Sequence, residues 1–271
     1  MKISCVIVSF NNGRLLEEAI MSVLAQTRPP DEVIVADDAS TDGSRQLIET
    51  LSRRYSIIKP VLRERNLGVS ANRDLAIREA SGDFITSLDG DDRFLPTKLE
   101  AEEQAVRQRR DVIAYSDVRL VDRNNNRFRS SGIAEFSRLA ASERVRWLLI
   151  KTKQLPRELL VPKDVHMRVG GYNHGLRTYE DWDYMLRLAA QPLSWAHSGT
   201  VGVVHHPGGG LSGQASLKHA RDELRVLRLN YEVARRHVGL PVFLAAVGRV
   251  VASRSKWAVL QWYWRKRAWI E

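Results

Sequence analysis

The sequence predicts an α/β fold: a mostly parallel central sheet with flanking helices, followed by a C-terminal helical extension. Three observations carry this. Ile3 to Phe10 is almost continuously apolar, as expected of a strand covered on both faces. Strands then alternate with helices over roughly 90 residues, the pattern of βαβ units and a parallel sheet. Finally, the charge is uneven. The net charge is +10, yet the residues before Lys218 hold 30 Lys and Arg against 28 Asp and Glu, and those from Lys218 onward hold 12 against 4.

The elements follow in order. After the first strand, Leu15, Leu16, Ala19, Ile20, Val23 and Leu24 recur at helical spacing until Pro29-Pro30 ends the helix. Glu32 to Ala36 is the second strand. Thr41 or Asp42 caps a helix carrying Leu47, Ile48 and Leu51. Ile57 to Leu62 is a third strand, Ala71 to Ala80 a third helix, and Asp83 to Leu88 a fourth strand. Pro96 opens another helix-like stretch. Beyond it the pattern is less regular. Val112 to Val121 reads as a strand before a polar loop, Val145 to Ile150 as a helix and Leu159 to Val161 as a short strand. Gly170-Gly171 precedes a helix from about Glu180 to Ala190. Leu193 to Ala196 and Val201 to His205 read as strands, and Gly208-Gly209-Gly210 as a flexible loop.

The chain is long enough for a substantial core. Its single cysteine, Cys5, lies within the first strand, so no internal disulfide forms and a reducing compartment is expected. Met1-Lys2-Ile3-Ser4-Cys5 has no signal-peptide character, which points to a cytoplasmic protein.

Chemistry gathers at the carboxyl ends of the strands, where open α/β sheets bind ligands. Asp89-Gly90-Asp91-Asp92 crowds three carboxylates after the fourth strand. Such crowding raises the cost of ionisation, which a divalent cation with hard oxygen ligands would offset. The same four residues also suit a solvated turn before a helix. Ser9-Phe10-Asn11-Asn12 ends strand one, placing polar groups and an aromatic where a base would bind. Asp37-Asp38 ends strand two, where an Asp can accept from a nucleobase imide. Asn66-Leu67-Gly68-Val69-Ser70-Ala71-Asn72-Arg73 opens helix three, with Arg73 one turn in. His205-His206 follows an apolar strand, where imidazole can be structural, exposed or a metal ligand.

In this order and spacing, Val-Ser-Phe-Asn-Asn, Asp-Asp-Ala-Ser-Thr-Asp-Gly-Ser, Asn-Leu-Gly-Val-Ser-Ala-Asn-Arg and Leu-Asp-Gly-Asp-Asp resemble the family 2 glycosyltransferases. The resemblance covers most of residues 2 to 100 and reappears at Gly170-Gly171-Tyr172 and Glu180-Asp181. It implies the glycosyltransferase-A fold with a Rossmann-like sheet: a catalytic domain over 1–217, nucleotide-binding to about 100 and acceptor-binding from about 101; the basic, Trp-rich helical tail over 218–271 lies outside the match. It also implies inverting, metal-dependent transfer of a sugar from a nucleotide-sugar, with a UDP-sugar favoured. The acceptor would be a saccharide or lipid-linked, as in bacterial-type cell-surface polysaccharide or glycolipid synthesis. By the same resemblance Asp38 binds uracil, Ser9, Phe10 and Asn11 line the base pocket, and Arg73 contacts base or phosphate. Asp89 lies nearer the ribose, Asp91 holds Mn²⁺ or Mg²⁺, and His206 is a further candidate ligand. Asp181 is the general base, while Asp92, Glu180 and Trp182 are candidate supports. Gly208 to Ser212 is a loop that can close over the diphosphate or acceptor.

Other readings fit less well. A sugar nucleotidyltransferase would carry a Gly-rich basic signature after strand one, where this chain has only Asn-Asn-Gly-Arg. Hydride transfer would want G-x-G-x-x-G there. A nucleic-acid-binding protein would spread its excess charge over the body. The tail, with Trp257, Trp262, Trp264 and Trp269 among basic residues, suits either a membrane surface, giving peripheral attachment to the cytoplasmic face, or a helical appendage docked on the core or on another subunit. An amphipathic helix opens it, Gly239 and Pro241 break it, and Val242 to Ala252 is apolar but too short to span a bilayer.

Overall fold

The computed structural model describes residues 1–107, 109–121, 127–131, 133–151, 155–206 and 217–267. Strands β1 (Ile3–Ser9), β2 (Glu32–Asp37), β3 (Ile58–Leu62) and β4 (Phe84–Asp89) form the parallel part of the main sheet, in the order β3-β2-β1-β4. The short β8 (Val161–Pro162) closes it antiparallel to β4. The chain builds outward from β1 through β2 to β3 and then crosses to β4 on the other side. The junction of β1 and β4 is therefore the switch point where such sheets open a crevice.

Strand alternation divides the core. Cys5, Ile7, Val33, Val35 and Leu88 face one layer, with α1 (Arg14–Leu24) and α2 (Ser44–Arg54). Val6, Val8, Ile34, Ala36 and Ile85 face the other, with α3 (Val69–Glu79), α5 (Ala141–Ile150) and α7 (Glu180–Ala189). Each fully buried aliphatic side chain in these layers contributes about 1.5–3 kcal/mol. Burial pushes the Cys5 thiol up to about 12, so it is an inert core group. At the start of α2 the N-cap is Gly43 (φ 91°), not Thr41 or Asp42; Asp42, just before it, accepts from the backbone N–H and hydroxyl of Ser44 at 3.1 and 2.6 Å.

A second sheet, in the order β5-β9-β6-β7, contains the strand expected over 112–121 as β6, whereas the short β5 and the strand β7 carry no periodic signal. It joins β5 (Arg93–Phe94), β6 (Val112–Val121), β7 (Arg127–Ser131) and β9 (Ser194–His205). The two strands expected over 193–196 and 201–205 are one long β9. Its pairing with β6 is interrupted after His197 and resumes at Val201, around Gly199 with φ 78°. Backbone bonds between Ala114 and Leu160 link this sheet to the chain entering β8. Where the sheets meet α4 (Lys98–Val106), Lys98 and Glu102 form a fully buried ion pair at 2.7 Å. Ser116 donates to Glu102 at 2.7 Å, and the Lys98 ammonium lies 4.4 Å from the Phe94 ring centroid.

The C-terminal helices share the core of the first 217 residues. α8 (Leu217–Leu229) and α9 (Tyr231–Arg267) bury Val226, Leu227, Ala234, Ala246 and Val250 in the same cluster as α5 and α7. Asn230 donates to Asp183 of α7 at 2.7 Å. α9 breaks at Gly239 (φ 78°, ψ 168°), and Pro241 stands just after the break, where its missing N–H has no partner to lose. The four tail tryptophans lie outside the described side chains. No described helix is long and apolar enough to cross a membrane.

Removing one partner of a buried ion pair strands the other. Lys98→Met should therefore lower unfolding free energy by about 3–5 kcal/mol at neutral pH in denaturant titrations. A loss below about 1 kcal/mol would show that Glu102 finds another way to be satisfied.

Candidate active site

The switch point is assembled from four loop ends. After β1, Ser9 is buried and donates to Asn12 Oδ1 at 3.0 Å, which also accepts the Phe10 N–H. Asn11 adopts φ 53°, donates its N–H to Ser40 Oγ and accepts from Thr41 N–H, each at 2.8 Å. These polar groups thus lock the β1 and β2 loops together, while the Phe10 ring stays 49% exposed at the rim. Asp38 is buried, and its two carboxylate oxygens accept the N–H groups of Leu67 and Gly68 at 2.7 and 2.8 Å. It therefore fixes the loop that launches α3. The neighbouring Asp37 is buried too, with Oδ2 accepting from Ser40 N–H.

The acidic turn is stitched to β1 by the Gly90 N–H, which donates to the Val8 carbonyl at 2.8 Å. A Cβ at Gly90 would lie 2.9 Å from Asn12 Oδ1 and 3.0 Å from that carbonyl, so glycine permits the approach. Ligand atoms of Asp89, Asp91 and Asp92 all lie within 4.8 Å of one another. Their environments differ. Burial raises the Asp89 carboxyl, but Arg73, Arg157 and His205 outweigh it and hold Asp89 below the usual range. Burial and the charges of Asp92 and Asp89 push Asp91 up to about 6. No cation pairs with Asp91 among the described residues. Asp92 is fully buried, binding His205 Nδ1 at 2.7 Å and the His206 N–H at 3.0 Å, so it fastens the end of β9 onto the turn. His206 Nδ1 lies 2.9 Å from the Asp91 carbonyl. A carbonyl only accepts, so in the neutral ring Nδ1 carries the proton and Nε2 the lone pair.

This set fits a hard divalent cation. It offers the carboxylate oxygens of Asp89, Asp91 and Asp92, and Asp91 is an under-neutralised carboxylate whose ionisation a cation would favour. Asp91, the carboxylate of the three without a cationic partner among the described residues, is the candidate for principal ligand.

Arg73 joins this turn to the other half. Its buried guanidinium contacts Asp89 through Nη2 and Glu180 through Nη1 at 3.3 Å, and sits 5.2 Å from the Tyr172 ring centroid. Tyr172 stacks on Tyr184 at 4.3 Å. Beneath them Asp74 is wholly buried and accepts from Tyr172 N–H (2.9 Å) and Arg78 Nε (2.8 Å). It also meets His166 Nε2 at 3.1 Å and His174 Nε2 at 2.8 Å, and His166 Nδ1 reaches the Tyr184 hydroxyl. Gly171, at φ 68°, lies so close that a Cβ would sit 1.9 Å from Asp74 Oδ1. That approach explains the Gly170-Gly171-Tyr172 motif.

At the head of α7 the roles separate. Glu180 is tied to Arg73; burial first, then Asp181, pushes it up to about 7. Asp181 lines the cavity with Arg73, Asp89 and Arg157, and also accepts the Trp182 N–H at 2.7 Å. Trp182 is core, its indole donating to the Leu148 carbonyl at 3.0 Å.

Two lining residues were missed in the sequence. Arg157 Nη2 lies 3.7 Å from Asp89 and Nε 3.5 Å from Glu158. Glu158, at φ 45°, has a side chain only 6% exposed, and its carboxyl is raised to about 7 by desolvation first and then Asp92 and Asp89 against the opposing pull of Arg157. Neither belongs to a motif; their placement depends on an irregular loop against β4. The expected Gly208–Ser212 loop lies outside the described residues.

The profile described as "Glycosyl transferase family 2" matches residues 4–175, well over half the chain. The chain belongs to glycosyl transferase family 2. Among curated relatives, it is 38% identical over 99 residues to the cholesterol galactosyltransferase of Borreliella burgdorferi, covering 36% of this chain and 27% of that one. It is 30% identical over 119 residues to the putative teichuronic acid biosynthesis glycosyltransferase TuaG of Bacillus subtilis, covering 44% and 47%. The chain thus spans less than half the length of either relative. Among solved structures, S. aureus TarS 1-349 in complex with UDP-GlcNAc superposes with a TM-score of 0.71 at 18% identity, covering 93% of this chain and 72% of that one. At that identity the likeness establishes the shared glycosyltransferase fold.

Glu158 yields a pH prediction. Its folded-state pKa is raised from 4.5 to about 7, so ionising it opposes folding. That opposition grows as pH rises from 4.5 to 7 and is fully present above. In metal-free protein, Glu158→Gln should be more stable than the parent by about 1–3 kcal/mol at pH 8, the gain vanishing near pH 4.5. A pH-independent difference in denaturation midpoint would contradict this placement.

Proposed function

We propose that this family 2 member is an inverting, metal-dependent glycosyltransferase that moves a sugar from a UDP-sugar to a saccharide or lipid-linked acceptor. The observation that carries this is one cavity against the end of β4 that Asp89, the first residue of the acidic turn, lines together with Arg73 and Asp181. The donor nucleotide would lie across the ends of β1 and β2, with Phe10 against the base and Asp38 as imide acceptor. For that, one Asp38 oxygen would accept the imide N–H through its second lone pair, since each oxygen already takes one N–H of the β3–α3 loop. Asp89 then lies toward the ribose, and Arg73 and Arg157 toward the diphosphate.

Asp181 takes the proton from the acceptor hydroxyl as its oxygen attacks the anomeric carbon. The bond from that carbon to the diphosphate oxygen breaks, its electron pair leaves with UDP, and the anomeric configuration inverts in a single displacement. Glu180 orients Arg73. Mg²⁺ or Mn²⁺, held by Asp91 with Asp89 and His206, would supply positive charge opposite the diphosphate. Asp92 acts through His205 and His206, keeping the end of β9 on the turn. The named activities of the relatives, on cholesterol and in teichuronic acid synthesis, support an acceptor of the cell-envelope class.

With UDP-sugars as donors, chelation should abolish transfer and added Mn²⁺ or Mg²⁺ restore it. Asp181→Asn should lower turnover by about 10²–10⁴-fold while sparing donor affinity. NMR of the product should show inversion at the anomeric carbon. Full activity in chelator, or retained configuration, would sink the reading.

A further inference from the structure

The second part of α9 turns an apolar face outward. Between positions 240 and 251 every exposed residue is apolar: Leu240, Pro241, Leu244, Ala245, Gly248 and Val251. Leu240, Leu244 and Val251 are 48%, 56% and 55% exposed. Their spacing of i, i+1, i+4, i+5, i+8 and i+11 is one stripe of an α-helix. The opposite stripe is already satisfied. Ala246 and Val250 are buried against α5, with Phe243 and Val247 packed beside them. Arg249, the single charge in this stretch, donates inward to the Leu149 carbonyl. The helix therefore has two apolar faces, one docked and one open. Leu229 and Tyr231 extend the open surface at the join of α8 and α9, where the Tyr231 ring lies 5.1 Å from Phe243.

We propose that this face inserts into the surface of a bilayer rich in anionic lipid, as an interfacial helix lying in the membrane plane. Contiguous exposed apolar surface of this kind marks a contact site. Charge selects the occupant. Arg221, Arg225, Arg228, Arg235 and Arg236 are exposed on α8 and the first part of α9, the last two sharing Glu232 at 3.1 and 3.9 Å, which leaves a net positive charge. The sequence beyond Ala252 adds Arg254, Lys256, Arg265, Lys266 and Arg267, with aromatics Trp257, Trp262 and Trp264 among them. Basic residues in the same helical module as an open apolar face match the requirements for anionic lipid headgroups. A second copy of the chain would bring two strongly basic modules together and repel. Because α5 and α7 pack on these helices, docking would hold the Asp181 cleft at a fixed attitude to the membrane. The inference is independent of the donor chemistry and is read without sugar nucleotide.

The test is co-sedimentation of the full chain with phosphatidylcholine vesicles, with and without phosphatidylglycerol. Binding is expected only with the anionic lipid, weakening as salt is raised. The double variant Leu244→Glu/Val251→Glu should lose at least about tenfold in vesicle partitioning. Its circular dichroism and melting should be unchanged, since both positions are exposed. Ala245→Glu, a good helix former at a third exposed position, gives the same reading if the double variant unfolds. Partitioning at the parent level in these variants, or equal binding to neutral vesicles, would overturn the proposal. So would a lipid-free dimer that the same variants dissolve.

Discussion

A single buried guanidinium couples the two halves of the cleft. Arg73 enters from α3 and contacts Asp89, at the end of the parallel sheet, and Glu180, at the head of α7. Burying a cation is unfavourable unless its partners are placed by something else, and here they are. Asp89 is set by its register with Val8 in the sheet, and Glu180 by an α7 anchored through Trp182 and Asp183. The Tyr172 ring supplies a third side. The position of Asp181, one residue from Glu180, is thereby referred to the sheet that would hold the nucleotide.

Behind Arg73 lies a polar scaffold that would be unstable if partly satisfied. Asp74 is buried with four partners from three separate segments, and these hold its carboxyl well below the usual range despite burial. In the folded protein it stays ionised, so the Gly171-Tyr172 turn is held by charge-assisted bonds. On the far side, Asp92 does the same for β9 through His205 and His206. Both carboxylates are better understood as fixing loops than as touching a ligand.

What was legible in the sequence follows from how local each signal is. β1 to β4 read as apolar runs because both faces of a parallel sheet are covered, and the loop motifs follow directly at their ends. The break at Gly239 was equally local. The second sheet was legible only in part: β6 read as a strand, but β5 has two residues and β9 has an irregular middle around Gly199. Asp92 reads in sequence only as a candidate support, because its partner is His205, more than a hundred positions away. Arg157 and Glu158 carry no periodicity or motif, and only the fold brings them beside Asp89. The outward stripe of α9 could be seen as apolar, but which side was docked depended on α5.

The central claim is that Arg73 orders both the donor side and the base side of the cleft. The direct measurement is UDP affinity and turnover of Arg73→Lys, in a variant shown to be folded. A lysine places one compact charge where the guanidinium reaches two carboxylates. Affinity and turnover should therefore fall together, each by about tenfold or more, an order of loss expected when a buried charge-assisted contact is broken. If UDP affinity stays within about twofold of the parent while only turnover changes, the coupling through Arg73 is wrong.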